Sequence, residues 1–156
     1  MKTIIYYASK HGATKEIAGR LAGLLENATI VNLCDPSIPS PEEAERVIVG
    51  GSVYIGKLRK EMKGFLIQHQ TALVQRPLGL FLLGLDEKLS CDALQKEAPP
   101  ELITAARRVD WLGGVINPAN CSLLERIVLR LVTGKSGKVD TVEQARLEAF
   151  ADRMRM

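Results

Sequence analysis

Aromatic residues are scarce: one Trp, three Tyr and three Phe make up 4% of the 156 residues. So few stacking platforms argue against a single-stranded nucleic-acid binder. Cysteine is scarce too. Cys34, Cys91 and Cys121 are odd in number and widely spaced, with no CxxC pair. That excludes a disulfide framework and leaves a thiolate zinc site short of ligands, since neither His11 nor His69 lies at a ligand spacing from a Cys. The thiols are expected to be buried or half-buried in a reducing compartment. No long hydrophobic run exists: Leu78 to Leu85 (LGLFLLGL) falls far short of the ~20 residues of a membrane span. The opening MKTIIYYASKHG has no cleavage-site pattern and reads as a strand rather than a signal peptide. One-signed charge is also missing, with 21 Lys and Arg against 18 Asp and Glu. The resulting +3 permits an anionic ligand but is too small to argue for nucleic acid. A cytoplasmic single domain over residues 1–156 is expected.

What is present alternates. Thr3–Ala8 (TIIYYA) is a β-branched and aromatic run of strand length. Thr14–Asn27 places Ile17, Leu21, Leu24 and Leu25 on one helical face. Ala28–Leu33 reads as a second strand, and Ser40-Pro41-Glu42-Glu43 as a capping box opening a short helix. Arg46–Gly50 is a third strand, Leu58–Leu73 a helix, and Leu78–Leu85 a fourth strand. Pro99-Pro100-Glu101 opens another helix, and Trp111–Ile116 is a fifth strand weakened by glycines. Strands separated by helices imply right-handed crossovers and a parallel sheet covered on both faces. The tail adds an amphipathic helix over Ser122–Thr133, a Gly134–Lys138 loop, and a helix capped by Thr141-x-x-Gln144. The apolar stripe Leu123, Leu124, Ile127, Val128 and Leu131 is expected to pack on the sheet, with Arg126 and Arg130 on the polar side. Peripheral membrane contact is the alternative for this helix.

Ligands of open parallel sheets bind at the C-terminal ends of the strands. The first such loop, Ser9-Lys10-His11-Gly12-Ala13-Thr14, offers two hydroxyls, a glycine and the N–H groups of a helix start. That combination suits an anion, most naturally phosphate, although a capped βα loop needs little less. The dinucleotide pattern GxGxxG is missing after the first strand. A near-match to the Walker pattern, Gly51 to Leu58, ends in Leu58 where a hydroxyl must hold Mg²⁺, which disfavours an NTPase. The same stretch suits the wall of a flat apolar ring, with Val53, Tyr54 and Ile55 between Gly51 and Gly56. A phosphate cradle beside an aromatic-bearing loop describes a flavin mononucleotide (FMN) pocket.

These residues resemble a known family. Ala8–Thr14 followed by Glu16-Ile17-Ala18 is similar to the phosphate loop and first helix of the flavodoxin family. Val47–Lys57 is similar to its third strand and first flavin loop. The tail, Leu123 to Leu131 with its Gly-Lys-Ser-Gly stretch, resembles a subgroup that includes menaquinone-dependent protoporphyrinogen oxidase. The resemblance implies an α/β, flavodoxin-like, doubly wound five-stranded parallel sheet in order 2-1-3-4-5. It implies FMN held noncovalently, with the phosphate on Ser9, Lys10, His11, Gly12, Ala13 and Thr14. The isoalloxazine would lie between Ser52, Val53, Tyr54, Ile55, Gly56 and Lys57 and the later loop Gly84, Leu85, Asp86 and Glu87. The chain departs from the electron carriers in two ways: no aromatic lies between Leu82 and Ala98, and the net charge is positive rather than strongly acidic. Compared with the protoporphyrinogen oxidases, a long loop is shortened.

The function expected is an FMN-dependent oxidoreductase or electron-transfer protein, with a redox protein or a small acceptor such as a quinone as partner. Flavin chemistry needs no side-chain nucleophile, so no catalytic acid or base is nominated. The competing class is a binding or regulatory module that keeps the fold without cofactor, which fold alone does not exclude.

Overall fold

A computed structural model describes residues 1–9, 12–116, 122–133 and 139–156. The positions Lys10, His11, Cys121 and the Gly134–Lys138 loop of the sequence reading lie outside the described residues. Strand β1 (Thr3–Ala8) leads into helix α1 (Ala13–Leu24), then β2 (Ala28–Asn32), a 3₁₀ turn at Pro41–Glu43, and β3 (Arg46–Tyr54). A two-residue β4 (Lys57–Leu58), α2 (Lys60–Gln68), α3 (Gln70–Val74) and β5 (Leu78–Leu83) follow. Next come α4 (Glu87–Glu97), α5 (Pro100–Ala105), β6 (Arg108–Gly113) and β7 (Val115–Ile116). The chain closes with α6 (Leu123–Thr133), β8 (Val139–Asp140) and α7 (Gln144–Arg155).

The main sheet runs β2-β1-β3-β5-β6, all parallel, with β4 hydrogen-bonded antiparallel to the end of β3. With the short β4 set aside, this is the expected order 2-1-3-4-5. The three central strands are buried along almost their whole length, so each strand's alternate side chains feed two cores. One contains Ile4, Tyr6, Val47, Val49, Leu80 and Leu82, covered by α2 to α5 through Met62, Leu66, Leu73, Leu94 and Leu102. The other contains Ile5, Tyr7, Ile48, Phe81 and Leu83, covered by α1 and α7 through Ile17, Leu21, Leu147, Phe150 and Met154.

Several boundaries differ from expectation, each for a physical reason. The helix foreseen over Leu58–Leu73 breaks at His69, whose ring packs on Phe65 at 4.6 Å between centroids. Helix α4 was not anticipated, because it buries the small or polar Ser90 and Ala93 beside Leu94 and so shows little apolar periodicity. The fifth strand ends at Gly113, and Val115–Ile116 pairs instead with β8 in a separate ribbon. Thr141 does not cap α7. Its Oγ1 accepts from the Gly114 N–H at 2.9 Å, and Glu143 stands at the helix start. Cys34 is exposed rather than buried. Four members of the α6 stripe expected to pack on the sheet, Leu123, Leu124, Ile127 and Leu131, are exposed instead, and the Val128 side chain lies outside the described residues. The capping box survives as read, with Glu42 N–H on Ser40 Oγ and Ser40 N–H on Glu43 Oε1, but it supports only one 3₁₀ turn.

Close fit between strands sets the interior. Gly50 lies opposite Phe81, and a Cβ on Gly50 would stand 2.0 Å from Phe81 Cζ. The Phe81 ring is wholly buried and cannot swing aside. Gly50→Ala should therefore destabilise the fold by about 1–3 kcal/mol through overpacking. The same change in a Phe81→Leu background should cost markedly less, because the ring that clashes is gone. Chemical denaturation of the four proteins of this cycle measures the coupling, and strictly additive losses would refute the fit described.

Candidate functional site

Register brings three loops together. Ala8 pairs with Gly51 and Ser52 with Leu83, so β1 and β5 end at one level on the C-terminal edge, and β3 runs two residues past it. Ser9 and Gly84 thus open two loops beside the end of β3, where Ser52 begins the stretch that pairs with β4. Of the sequence-predicted groups, Ser9, Ile55, Gly56, Gly84, Leu85 and Asp86 lie between elements, Ala13 and Thr14 open α1, Ser52, Val53 and Tyr54 end β3, Lys57 lies in β4, Glu87 opens α4, and Lys10 and His11 lie outside the described residues.

In the first loop, Gly12 adopts φ 85°, the left-handed region, and stands at the N-cap of α1. Ser9 Oγ accepts from the Gly12 N–H at 2.8 Å, which curls the loop onto the helix start. The N–H groups of the following first turn have no intrahelical acceptors and carry the positive end of the helix dipole. Ala13 is half-buried and Thr14 wholly buried, and Thr14 Oγ1 has no hydrogen-bond partner among the described residues. A buried hydroxyl left unsatisfied costs roughly 1–3 kcal/mol. An anion bound in this loop would supply an acceptor.

The second loop is shorter than the sequence suggests. β3 continues through Ser52, Val53 and Tyr54, and Val53 pairs with Leu58 and Tyr54 with Lys57. Only Ile55 and Gly56 turn the hairpin, at φ 49° and 70°. Two successive left-handed residues make the turn that suits a twisted two-strand ribbon. Gly56 meets that need without strain, whereas Ile55 is a β-branched residue in a conformation that such side chains avoid. Tyr54 and Ile55 are 47% and 75% exposed, so the ribbon presents an aromatic and an aliphatic group outward at the mouth of the site. Lys57 is exposed beside them. Gly51 does not turn the chain. It lets α2 approach, since a Cβ there would lie 2.6 Å from Met62 Sδ.

The third loop touches the second. A Cβ on Gly84 would stand 3.4 Å from the Val53 carbonyl oxygen and 2.4 Å from Ser90 Oγ. Gly84 N–H donates to Gly113 O at 3.0 Å, and Trp111 Nε1 donates to Gly84 O at 3.0 Å. Leu85 is exposed. Asp86 is occupied structurally: its Oδ1 accepts from the Leu89 N–H at 2.8 Å and caps α4. Glu87 pairs with Arg146 of α7 at 3.7 Å. Sequence reading missed Trp111 and Arg146 altogether. The Arg146 guanidinium lies 5.2 Å from the Trp111 ring centroid and donates to Trp111 O at 2.9 Å. No local motif announces them; they reach the third loop only because β6 pairs with β5. Burial first, and then Glu87, Asp110 and Asp92, push the pKa of the Cys91 thiol on α4 up, which favours its protonated form.

A separate cavity of ≈ 570 Å³ lies between the 33–40 segment and α2, lined by residues including Leu33, Ile38, Phe65 and His69. It stands apart from the meeting point of the three loops, and none of the loop residues lines it.

The flavodoxin domain model matches residues 4–142. The chain belongs to the flavodoxin domain family. It is 30% identical over 89 residues to a protein of Escherichia coli K12, "Protoporphyrinogen IX dehydrogenase [quinone]", the match covering 54% of this chain and 49% of that protein. The chain thus matches about half the length of its curated relative. A flavoprotein of Lactobacillus acidophilus solved in complex with FMN superposes with TM-score 0.53 at 14% identity, over 72% of this chain and 91% of that one. A Streptococcus pneumoniae TIGR4 flavodoxin superposes with TM-score 0.57 at 19% identity, over 99% and 98% of the two chains. Both superpositions concern the fold.

The strained turn yields a test. Asn tolerates the left-handed region far better than Ile, and Asn-Gly is the preferred pair for this hairpin. Ile55→Asn should raise stability by about 1 kcal/mol and increase Tm in a thermal melt. A lower Tm would mean that Ile55 contributes packing worth more than its backbone strain.

Proposed function

We propose that this flavodoxin-family chain binds FMN at the three loops and acts as a redox protein. The buried, unpartnered hydroxyl of Thr14 at the start of α1 is the observation that carries the reading. It supports a phosphate position, because a charged acceptor there would satisfy a buried side-chain donor that the described fold leaves without a partner. Ser9 shapes the loop around that position, and the α1 N-terminus adds its dipole. The isoalloxazine is assigned to the space between the Tyr54–Ile55 turn and Gly84-Leu85, where Tyr54 offers a stacking face and Leu85 an apolar edge. When bound, FMN supplies the electron-accepting chemistry itself. The chain's own residues bind and orient it, and Trp111 and Arg146 hold the third loop in place by fixing the Gly84 carbonyl and the α4 start. Asp86 and Glu87 serve this scaffold as well, through the cap and the ion pair, rather than as ring ligands.

Within the class, an oxidoreductase with a quinone-type acceptor is favoured over a one-electron shuttle. The partial match to an E. coli quinone-linked dehydrogenase supports this, and so does the positive net charge, since a shuttle docking on basic partners needs an acidic rim. Protoporphyrinogen IX is the substrate to assay first, with a soluble quinone as acceptor. Turnover of the quinone without the porphyrinogen would keep the acceptor and reassign the donor.

The binding reading is tested directly. The purified protein should be yellow or take up FMN stoichiometrically, and riboflavin, which lacks phosphate, should bind far more weakly. Thr14→Ala removes one hydrogen bond to a charged acceptor, worth roughly 1.5–3 kcal/mol, or about 10- to 150-fold in Kd. Equal affinity for the two flavins would sink the phosphate assignment. Tyr54→Ala should cost ~1–3 kcal/mol of FMN affinity and restore flavin fluorescence quenched in the wild-type complex. A colourless protein that ignores added FMN would return the chain to the class of cofactor-free binding modules.

A further inference from the structure

Helix α6 stands on an excursion from the sheet. The excursion leaves at Gly114 and returns at Thr141, and its base is clasped twice: Thr141 N–H donates to Gly114 O at 2.8 Å, and Gly114 N–H donates to Thr141 Oγ1 at 2.9 Å. The ribbon of β7 and β8 extends that clasp. The helix carries its own start signal, since Ser122 Oγ accepts from the Glu125 N–H at 3.2 Å. It is therefore a helix with its own start signal, on an excursion whose base is clasped to the sheet.

Its outward side is apolar. Leu123, Leu124, Ile127 and Leu131 are 75%, 71%, 49% and 81% exposed. At about 100° per residue they fall within one arc of roughly 100°, and Arg130 and Arg126 follow directly along one flank of that arc. Four large apolar side chains in one exposed stripe are not a scatter of surface hydrophobics, which are ordinary when single. They need a cover.

Charge identifies the cover. Residues 122–138 hold Arg126, Arg130, Lys135 and Lys138 against the single acid Glu125, an excess of three. The whole chain's net charge is +3, so the remaining 139 residues balance at 17 cations and 17 acids. All the surplus positive charge of the protein therefore belongs to the segment that bears the exposed stripe. A second copy of the chain is a poor cover, because a two-fold contact through α6 would set this surplus against itself. An anionic lipid surface is a good one. Its headgroups attract Lys and Arg while the boundary of the acyl chains takes Leu and Ile, and Arg side chains flanking the stripe can reach back to the headgroups. The helix runs only from Leu123 to Thr133, and no helix among the described residues is long and apolar enough to cross a membrane. An in-plane position at the interface is the one its length allows.

We propose that α6 is an in-plane docking helix for bilayers that contain anionic phospholipid. The stem fixes its place: a Cβ on Gly114 would stand 2.8 Å from Gly84 O, so the excursion springs from the same edge of the sheet as the three loops. Docking through α6 would bring that edge to the lipid. The proposal rests on α6 and its charge and stands whether or not the loops bind flavin.

Flotation of the full chain, without added flavin, on phosphatidylglycerol–phosphatidylcholine vesicles and on pure phosphatidylcholine vesicles tests it. Binding should be found on the mixed vesicles at low salt, weaken at least about tenfold on pure phosphatidylcholine, and fall steeply as salt is raised. The pair L124Q and L131Q, and separately R126Q and R130Q, should each lower binding to mixed vesicles by about tenfold or more. Circular dichroism should show the wild-type Tm in both variants, since these residues are on the surface. Failure to bind mixed vesicles, or binding that ignores both lipid charge and the arginine changes, would overturn the proposal. A marked fall in Tm for L124Q and L131Q would show the stripe packed on the protein, and a dimer lost with those changes in place of vesicle binding would assign the face to a second copy.

Discussion

Burial of the sheet on both faces is the constraint on which everything else depends. β1, β5 and most of β3 expose almost nothing, so both faces of the central sheet must be covered by helices. Such covering demands close approach. Glycine supplies it at Gly50 beneath Phe81, at Gly51 against Met62, and at Gly79, where a Cβ would lie 2.7 Å from Met154 Sδ and 2.9 Å from Phe150 Cζ. With both faces occupied, the edges and ends of the sheet are where a ligand can be met. The site is thus a consequence of how thoroughly the middle is filled.

The ends of the sheet are not alike. At the N-terminal end the buried Arg46 donates from Nε to Thr3 Oγ1 at 2.8 Å and from a terminal nitrogen to Met154 O at 2.7 Å, locking the end of α7 to the sheet. Burial, and then the neighbouring Arg107 and Arg155, lower its pKa, yet a guanidinium keeps its charge at any physiological pH. At the C-terminal end the bonds run between loops and strands: Trp111 to Gly84, Gly84 to Gly113, and Gly114 to Thr141. The first arrangement anchors a helix. The second ties together loops that local sequence leaves free, and hangs the α6 excursion beside them.

Tyr6 illustrates how the structural and candidate functional regions are kept apart. Its hydroxyl donates to Pro39 O at 2.8 Å, and burial first, then Glu43, raise its pKa to about 12. The phenol stays neutral and serves as a strut between β1 and the segment after β2. The carboxylates of the third loop are engaged in capping and ion pairing.

The amino-acid sequence by itself determined the strand–helix alternation, because continuous apolar runs and helical periodicity are local signals. It also marked Ser9 to Thr14 and the Tyr54 turn, since hydroxyls, glycines and an aromatic at the strand ends are legible residue by residue. It did not reveal α4, whose buried side includes small residues, nor the extension of β3, which depends on Leu58 and Lys57 folding back on it. It could not place Trp111 or Arg146 at the third loop, because the pairing of β5 with β6 and the packing of α7 create that contact. Helix α6 shows the limit most plainly. Periodicity established its apolar face, but an apolar stripe has the same pattern whether a sheet or a foreign surface covers it. Only the tertiary structure decided the matter, because it leaves Leu123, Leu124, Ile127 and Leu131 exposed rather than in either core of the sheet.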